Sequence, residues 1–196
     1  MTPHACRLVV VAVVAVAAVA TLLSGCTLVV LGAYDAATDA RAFAVQQTDG
    51  VIANTIRSEL MEAGLQRFLA VDVFCHQGLV VLTGVIEPGS DAGARAVAIA
   101  RRQEGVSRVE SYFFANRPSR LTDVAVGTRF FGRMVFDLAL RQAHVDFAVI
   151  NGHLVLAGVV ADRSELEVVL HHARSVSGVK IVKSYLQLKV QQARAS

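Results

Sequence analysis

Apolar residues along this chain fall into three regimes. The first is an uncharged run from Leu8 to Leu23, rich in Val and Ala. The second, after Ala33, has little periodicity up to about residue 48. From there the pattern becomes regular. Ile52, Ile56 and Leu60 stand four apart, the spacing of one helix face, with Asp49 ahead of them as the expected N-cap. Val71 to Cys75 reads as a strand, His76-Gln77-Gly78 as a short turn, and Leu79 to Val85 as the returning arm of a hairpin. Gly78 can take the positive φ that a tight turn needs. A second helix is predicted from about Ser90 to Gln103, where Ala94, Val97, Ala98 and Arg101 keep helical spacing and Gly105 stops it. A strand from Val109 to Phe114 follows.

The chain then repeats itself after roughly 74 residues. Gly78-Leu79-Val80-Val81-Leu82-Thr83-Gly84 matches Gly152-His153-Leu154-Val155-Leu156-Ala157-Gly158. Gly105-Val106 matches Gly178-Val179, and both copies continue to Ser-Tyr, at Ser111-Tyr112 and Ser184-Tyr185. The second copy has a helix near Thr128 to Gln142, strands near Val145 to Ile150 and His153 to Val159, a helix near Ser164 to Ser177 and a strand near Ile181 to Val190. Each copy is therefore helix-strand-strand-helix-strand. That order predicts an α+β fold in which a three-stranded mixed sheet packs on two helices. The expected organisation is a leader over 1–25, a tether over 26–48, the first repeat over 49–115, a linker over 116–120, the second repeat over 121–190 and a tail over 191–196.

The G-x-V-x-L-x-G hairpin, the Gly-Val after the second helix and the element order resemble the BON domain, in two tandem copies. Leu154 stands where the pattern has valine, a conservative departure. The leader resembles a bacterial lipoprotein signal peptide: Arg7, an apolar core short for a membrane span, then the lipobox Leu23-Ser24-Gly25-Cys26. An uncleaved anchor is the alternative, because apolar residues resume at Leu28-Val29-Val30-Leu31. The first resemblance implies association with phospholipid membranes and envelope integrity, with no cofactor and no catalytic motif. The second implies that Cys26 is the mature N-terminus and carries a covalent diacylglycerol and acyl lipid. Thr27 in place of Asp after that cysteine implies the outer membrane, on its periplasmic side.

Composition narrows the function classes. The net charge of +3 is too small for a dedicated nucleic-acid binder. Beyond Cys6 in the leader and Cys26, Cys75 is the remaining cysteine, so no internal disulfide is expected and Cys75 reads as a small core residue. His171-His172 adjoin on a helix and lack the i, i+4 spacing of a metal pair. No nucleophile elbow or phosphate loop is present, and the chain is not expected to be an enzyme.

The candidate site comes from comparing the two copies. Pairing Ile52, Ile56 and Leu60 with Phe130, Met134 and Leu138 sets the inner faces of the first helices in register. The outer face of the first copy is then Val51, Thr55, Ser58 and Glu62, mostly polar. The matching positions of the second copy are Arg129, Arg133, Phe136 and Leu140. Two cations and two large apolar groups on an outward face suit an anionic phospholipid surface, with Arg117, Arg120 and Arg141 adding to the field. The same face would also suit an envelope protein partner or a second copy of the chain.

Overall fold

The computed structural model describes residues 40–117, 119–140 and 142–189, with side chains from Thr48 onward. Cys26, the leader, the tail, Pro118 and Arg141 lie outside the described residues. The first repeat contains α1 (Ala40–Phe68), β1 (Val71–His76), β2 (Leu79–Val85), α2 (Ala92–Arg101) and β3 (Arg108–Phe114). The second contains α3 (Arg120–Phe136), a 3-10 turn (Leu138–Leu140), β4 (His144–Ile150), β5 (His153–Val160), α4 (Arg163–Ser175) and β6 (Ile181–Leu188). Each repeat forms its own sheet, in the orders β1-β2-β3 and β4-β5-β6. The hairpin pairs run antiparallel, and the third strand runs parallel to the central one after the helical crossover. The mixed three-stranded sheets and the α+β class are those predicted.

The hairpin motif has a physical reading residue by residue. Val80 and Leu82 point into the core under α1 and α2, and Leu154 and Leu156 do the same under α3 and α4. The first glycine of each motif, Gly78 or Gly152, follows a residue that also has positive φ, Gln77 or Asn151. Two consecutive positive-φ residues make the tight hairpin turn whose twist suits the flanking strands. The last glycine lets the neighbouring strand pass close. A Cβ on Gly84 would sit 2.1 Å from the Ala70 carbonyl oxygen, and one on Gly158 2.1 Å from that of His144.

A carboxylate from the first helix clamps each turn. Asp49 accepts the Gln77 and Gly78 N–H groups at 2.6 and 3.0 Å. Asp123 accepts the Asn151 and Gly152 N–H groups, both at 3.0 Å. Asp49 is therefore no N-cap. α1 begins at Ala40, inside the stretch expected to be tether, and Asp49 is buried within it. Arg117, from the linker, donates to Asp123 at 2.9 Å and to the Val149 carbonyl at 2.7 Å. It is thus committed to holding the second repeat and does not add to a surface field.

Asp49 and Asp123 stand 74 positions apart, as do Gly78 and Gly152. Ile52 and Val126 likewise lie where a Cβ on Gly105 or Gly178 would fall. The inner residues Ile52, Ile56 and Leu60 therefore correspond to Val126, Phe130 and Met134, one turn earlier than the sequence pairing. A shift of four residues nearly preserves a face at 3.6 residues per turn, so apolar periodicity alone does not expose the slip.

β2 and β5 are buried on both faces. Helices cover one face of each sheet. The other faces meet each other, with Leu79 and Val81 packed against Val155 and Ala157, and Phe74, Tyr112 and Tyr185 around them. Polar contacts rim this seam. The His76 and Asp146 side chains pair at 2.9 Å, Tyr112 and His153 at 2.8 Å, and Gln187 donates to the His76 carbonyl at 2.8 Å. Every buried apolar residue among those described lies between Ile52 and Val176, and each repeat has its own core cluster beside the shared seam.

The two clamps differ in charge pairing, and that difference is measurable. Asp123→Ala leaves two turn N–H groups unbonded and Arg117 without its carboxylate, held by the Val149 carbonyl alone, and is expected to cost about 3–4 kcal/mol. Asp49→Ala leaves only turn N–H groups and the Cys75 thiol, for about 2 kcal/mol. Urea unfolding should rank them in that order. Equal, small losses would remove the clamp from the account.

Candidate functional site

Ser119 caps α3 ahead of Arg120, its hydroxyl accepting the Thr122 N–H at 3.4 Å. Asp123, Val126 and Phe130 face inward, and Phe130 meets Phe147 edge to face at 5.0 Å. The helix ends at Phe136 because Asp137 turns extended. The Asp137 carboxylate accepts the Ala139 N–H at 2.9 Å and pairs with His172 Nε2 on α4 at 2.6 Å. The 3-10 turn that follows reverses the next side chains.

That ending relocates two predicted residues. Leu140 is not on the outer face: it is 6% exposed and packs into the core of the second repeat. Leu138, paired in the sequence with inward Leu60, points outward at 80% exposure. The helix end explains both, since these positions lie beyond the last helical residue, where helical spacing no longer sets the direction of a side chain. Phe136 is 86% exposed, and Arg129 and Arg133 are exposed beside it.

The sequence comparison missed most of the outward face. Leu121, Val124, Phe131 and Val135 are all more than half exposed. With Thr128 they alternate three and four apart, forming a second apolar stripe beside the buried one. The signal was present but needed the true helix start at Arg120, eight residues before the predicted one. Small residues, Ala125, Thr128 and Gly132, occupy positions among the large ones. In the first copy the corresponding positions include Gln47, Gly50, Arg57 and Glu62.

The cations lie on one flank of α3, turned toward the end of α4. Arg129 donates to the Ser177 carbonyl at 3.1 Å, and Arg133 to the Ser175 hydroxyl at 2.8 Å. Neither has a carboxylate partner among the described residues. Together with Gly132 and Phe136 they line an open cleft of about 500 Å³. The first copy differs at the same place. Glu59 stands at the position of Arg133, accepts from Gln103 at 2.6 Å and pairs with Arg102 at 3.5 Å.

No cluster of metal-binding side chains occurs among the described residues. His172 is engaged by Asp137, and Cys75 is buried with its thiol pushed up to about 12, chiefly by burial and then by the Asp49 carboxylate. Among the described residues no helix is long and apolar enough to cross a membrane.

The sequence profile of the BON domain matches residues 48–113 and 122–192. A protein of Anaplasma centrale, described as an uncharacterized protein in the gshII 5′ region, is 26% identical over 151 residues, spanning 74% of this chain and 98% of that protein. Among solved structures, the C-terminal domain of CdsD, the structural protein of the type III secretion system of Chlamydia trachomatis, is 17% identical over 72% of this chain and 67% of its own, at a TM-score of 0.29. A second CdsD structure gives 17% identity, 72% and 63% coverage, and a TM-score of 0.28. Likeness at those scores carries no functional argument.

The Asp137 contact predicts an acid response at the end of α3. The hydrogen bond from His172, followed by that from the Ala139 N–H, holds its carboxyl below the ordinary 3.8. A carboxyl depressed in the folded state stabilises above its ordinary value, and the contribution disappears as pH falls through the depressed one. Amide protection at Phe136 to Leu140, measured against the intrinsic rate at each pH, should therefore fall as pH drops below the ordinary 3.8, before the rest of the second repeat opens. Asp137→Asn should remove that early phase. An unchanged profile in the variant would dissociate the pair from the helix end.

Proposed function

We propose, on the premise that this chain belongs to the BON-domain family, that it is an envelope module that binds anionic phospholipid membranes through α3 of its second repeat. BON domains are associated with membrane- and envelope-related functions. The finer reading is a lipoprotein held by acyl chains on Cys26 at the periplasmic side of the outer membrane, supporting envelope integrity. It requires no cofactor beyond that lipid and no catalytic step.

The outward face of α3 is the observation that carries the proposal. Leu121, Val124, Phe131, Val135, Phe136 and Leu138 present apolar surface that nothing in the described fold covers. Arg129 and Arg133 border it on one side, where lipid phosphates would lie if the helix rested in the interface plane. Each arginine near an anionic leaflet contributes about 1 kcal/mol. Each large apolar side chain adds up to roughly 1.5–3 kcal/mol if fully buried, and less at an interface. Such a sum is modest, which suits a domain already confined to the membrane by its lipid.

A second reading has one observation of its own. The alternating three-four spacing of Leu121, Val124, Thr128, Phe131 and Val135 is that of a helix-pairing seam. A protein adaptor, or a second copy of the chain, would use the same face.

Flotation of residues 40–196 with vesicles separates these readings. The protein should float with phosphatidylglycerol vesicles at low salt and not with phosphatidylcholine. Phe136→Ala is expected to weaken binding about tenfold from lost apolar burial. Arg133→Glu, a change of two charges, should weaken it by roughly thirtyfold. No flotation with either lipid, together with a discrete dimer in solution, would replace the membrane reading with the adaptor.

A further inference from the structure

We propose that the cleft between α3 and the end of α4 is a discrete phosphate site that favours a phosphomonoester headgroup over a phosphodiester. The inference rests on the membrane reading above and adds a ligand class to it. Its basis is the arrangement of the two arginines. Each guanidinium has five N–H donors in a planar fork. Arg129 gives one to the Ser177 carbonyl and Arg133 one to the Ser175 hydroxyl, which aim both groups at one cleft while leaving most of their donors open. No carboxylate among the described residues neutralises either charge. Gly132 lies between them on the cleft wall, and a Cβ there would meet nothing within 4 Å, so the space is not closed by neighbouring atoms.

The first repeat provides an internal comparison. Its structurally equivalent position holds Glu59, tied to Gln103 and Arg102, with Thr55 in place of Arg129. There the charge is matched within the protein. In the second repeat the same scaffold carries two unmatched cations, so the helix-to-helix geometry does not itself require them.

Ligand chemistry follows from the donor set. A phosphodiester offers two free oxygens and one negative charge. A phosphomonoester offers three terminal oxygens and about −1.5 to −2 charge at pH 7, which matches two guanidinium forks. Phe136 at the rim supplies an apolar wall along which an acyl chain can run. Because the arginines sit on the flank of α3, the phosphate would lie at headgroup depth while Phe131 and Val135 enter the apolar layer.

Residues 40–196 would be tested against vesicles of phosphatidic acid and of phosphatidylglycerol diluted in phosphatidylcholine and matched in surface charge. In parallel, inorganic phosphate would be titrated without lipid while the amide shifts of Gly132, Ser175 and Ser177 are followed. The expected result is at least about fivefold tighter binding to phosphatidic acid, and saturable phosphate shifts confined to the cleft. Arg133→Lys keeps the charge but loses the fork, and Gly132→Val fills the wall; both should bring the lipid ratio toward one. Equal binding to the two lipids, with the same ratio in both variants, would overturn the phosphate site and leave the membrane reading intact. Phosphate shifts lost in Arg133→Lys, without any vesicle binding, would support the site with a soluble phosphomonoester as its ligand and overturn the membrane reading instead. Absence of both responses would overturn the two together.

Discussion

The double-sided burial of β2 and β5 is the constraint from which the remaining architecture follows. Leu79-Val80-Val81-Leu82 and Leu154-Val155-Leu156-Ala157 are apolar on both faces of their sheets. A single repeat can cover only one face with its two helices. The other face needs a second layer, and the sister sheet provides it through Leu79, Val81, Val155 and Ala157. Once the sheets cover each other, all the helices must lie on the outside. α3 therefore presents its outer face to the surroundings because the centre of the protein is already filled.

Duplication then permits one copy to change while the other keeps the scaffold's ordinary surface. The carboxylate clamps of Asp49 and Asp123 on their hairpin turns hold the first helices in the same register on the two sheets. Differences between those helices are therefore differences of surface chemistry. Glu59 and Glu62 in one correspond to Arg133 and Phe136 in the other. Electrostatics reverse sign and a polar position becomes a large exposed ring, with no change in the fold that carries them.

Much of this was legible in the sequence, for reasons that can be named. The hairpin glycines are constrained by backbone geometry and so recur at fixed spacing, which made the repeat and its element order readable. Phe136, Arg129 and Arg133 stood out because the first copy keeps a mostly polar set, Val51, Thr55, Ser58 and Glu62, on the face that the repeat marks as outward. The helix register was not legible, because a shift of four residues leaves the apolar face nearly unchanged. Leu140 read as outside and Leu138 as inside because the helix was expected to run on to Gln142, whereas it ends at Phe136 and the turn that follows reverses them. Asp49 read as an N-cap because Asp is common there, and only the tertiary fold brings Gln77 and Gly78 to its carboxylate. The face-to-face packing had a signal that went unused: an unbroken apolar strand implies two covered faces.

The central claim is directional: α3 enters a bilayer by its outward face, and α1 does not. Nitroxide labels on single cysteines would measure this by depth. Phe131→Cys, Val135→Cys and Phe136→Cys probe one helix, and Thr55→Cys and Glu62→Cys the other. Cys75 stays unlabelled in the folded protein because it is buried and its thiol is pushed up to about 12. On vesicles containing phosphatidylglycerol, the three α3 labels should become accessible to oxygen and shielded from aqueous nickel, while the two α1 labels remain in water. Labels on both helices staying aqueous while the protein is vesicle-bound would contradict the account.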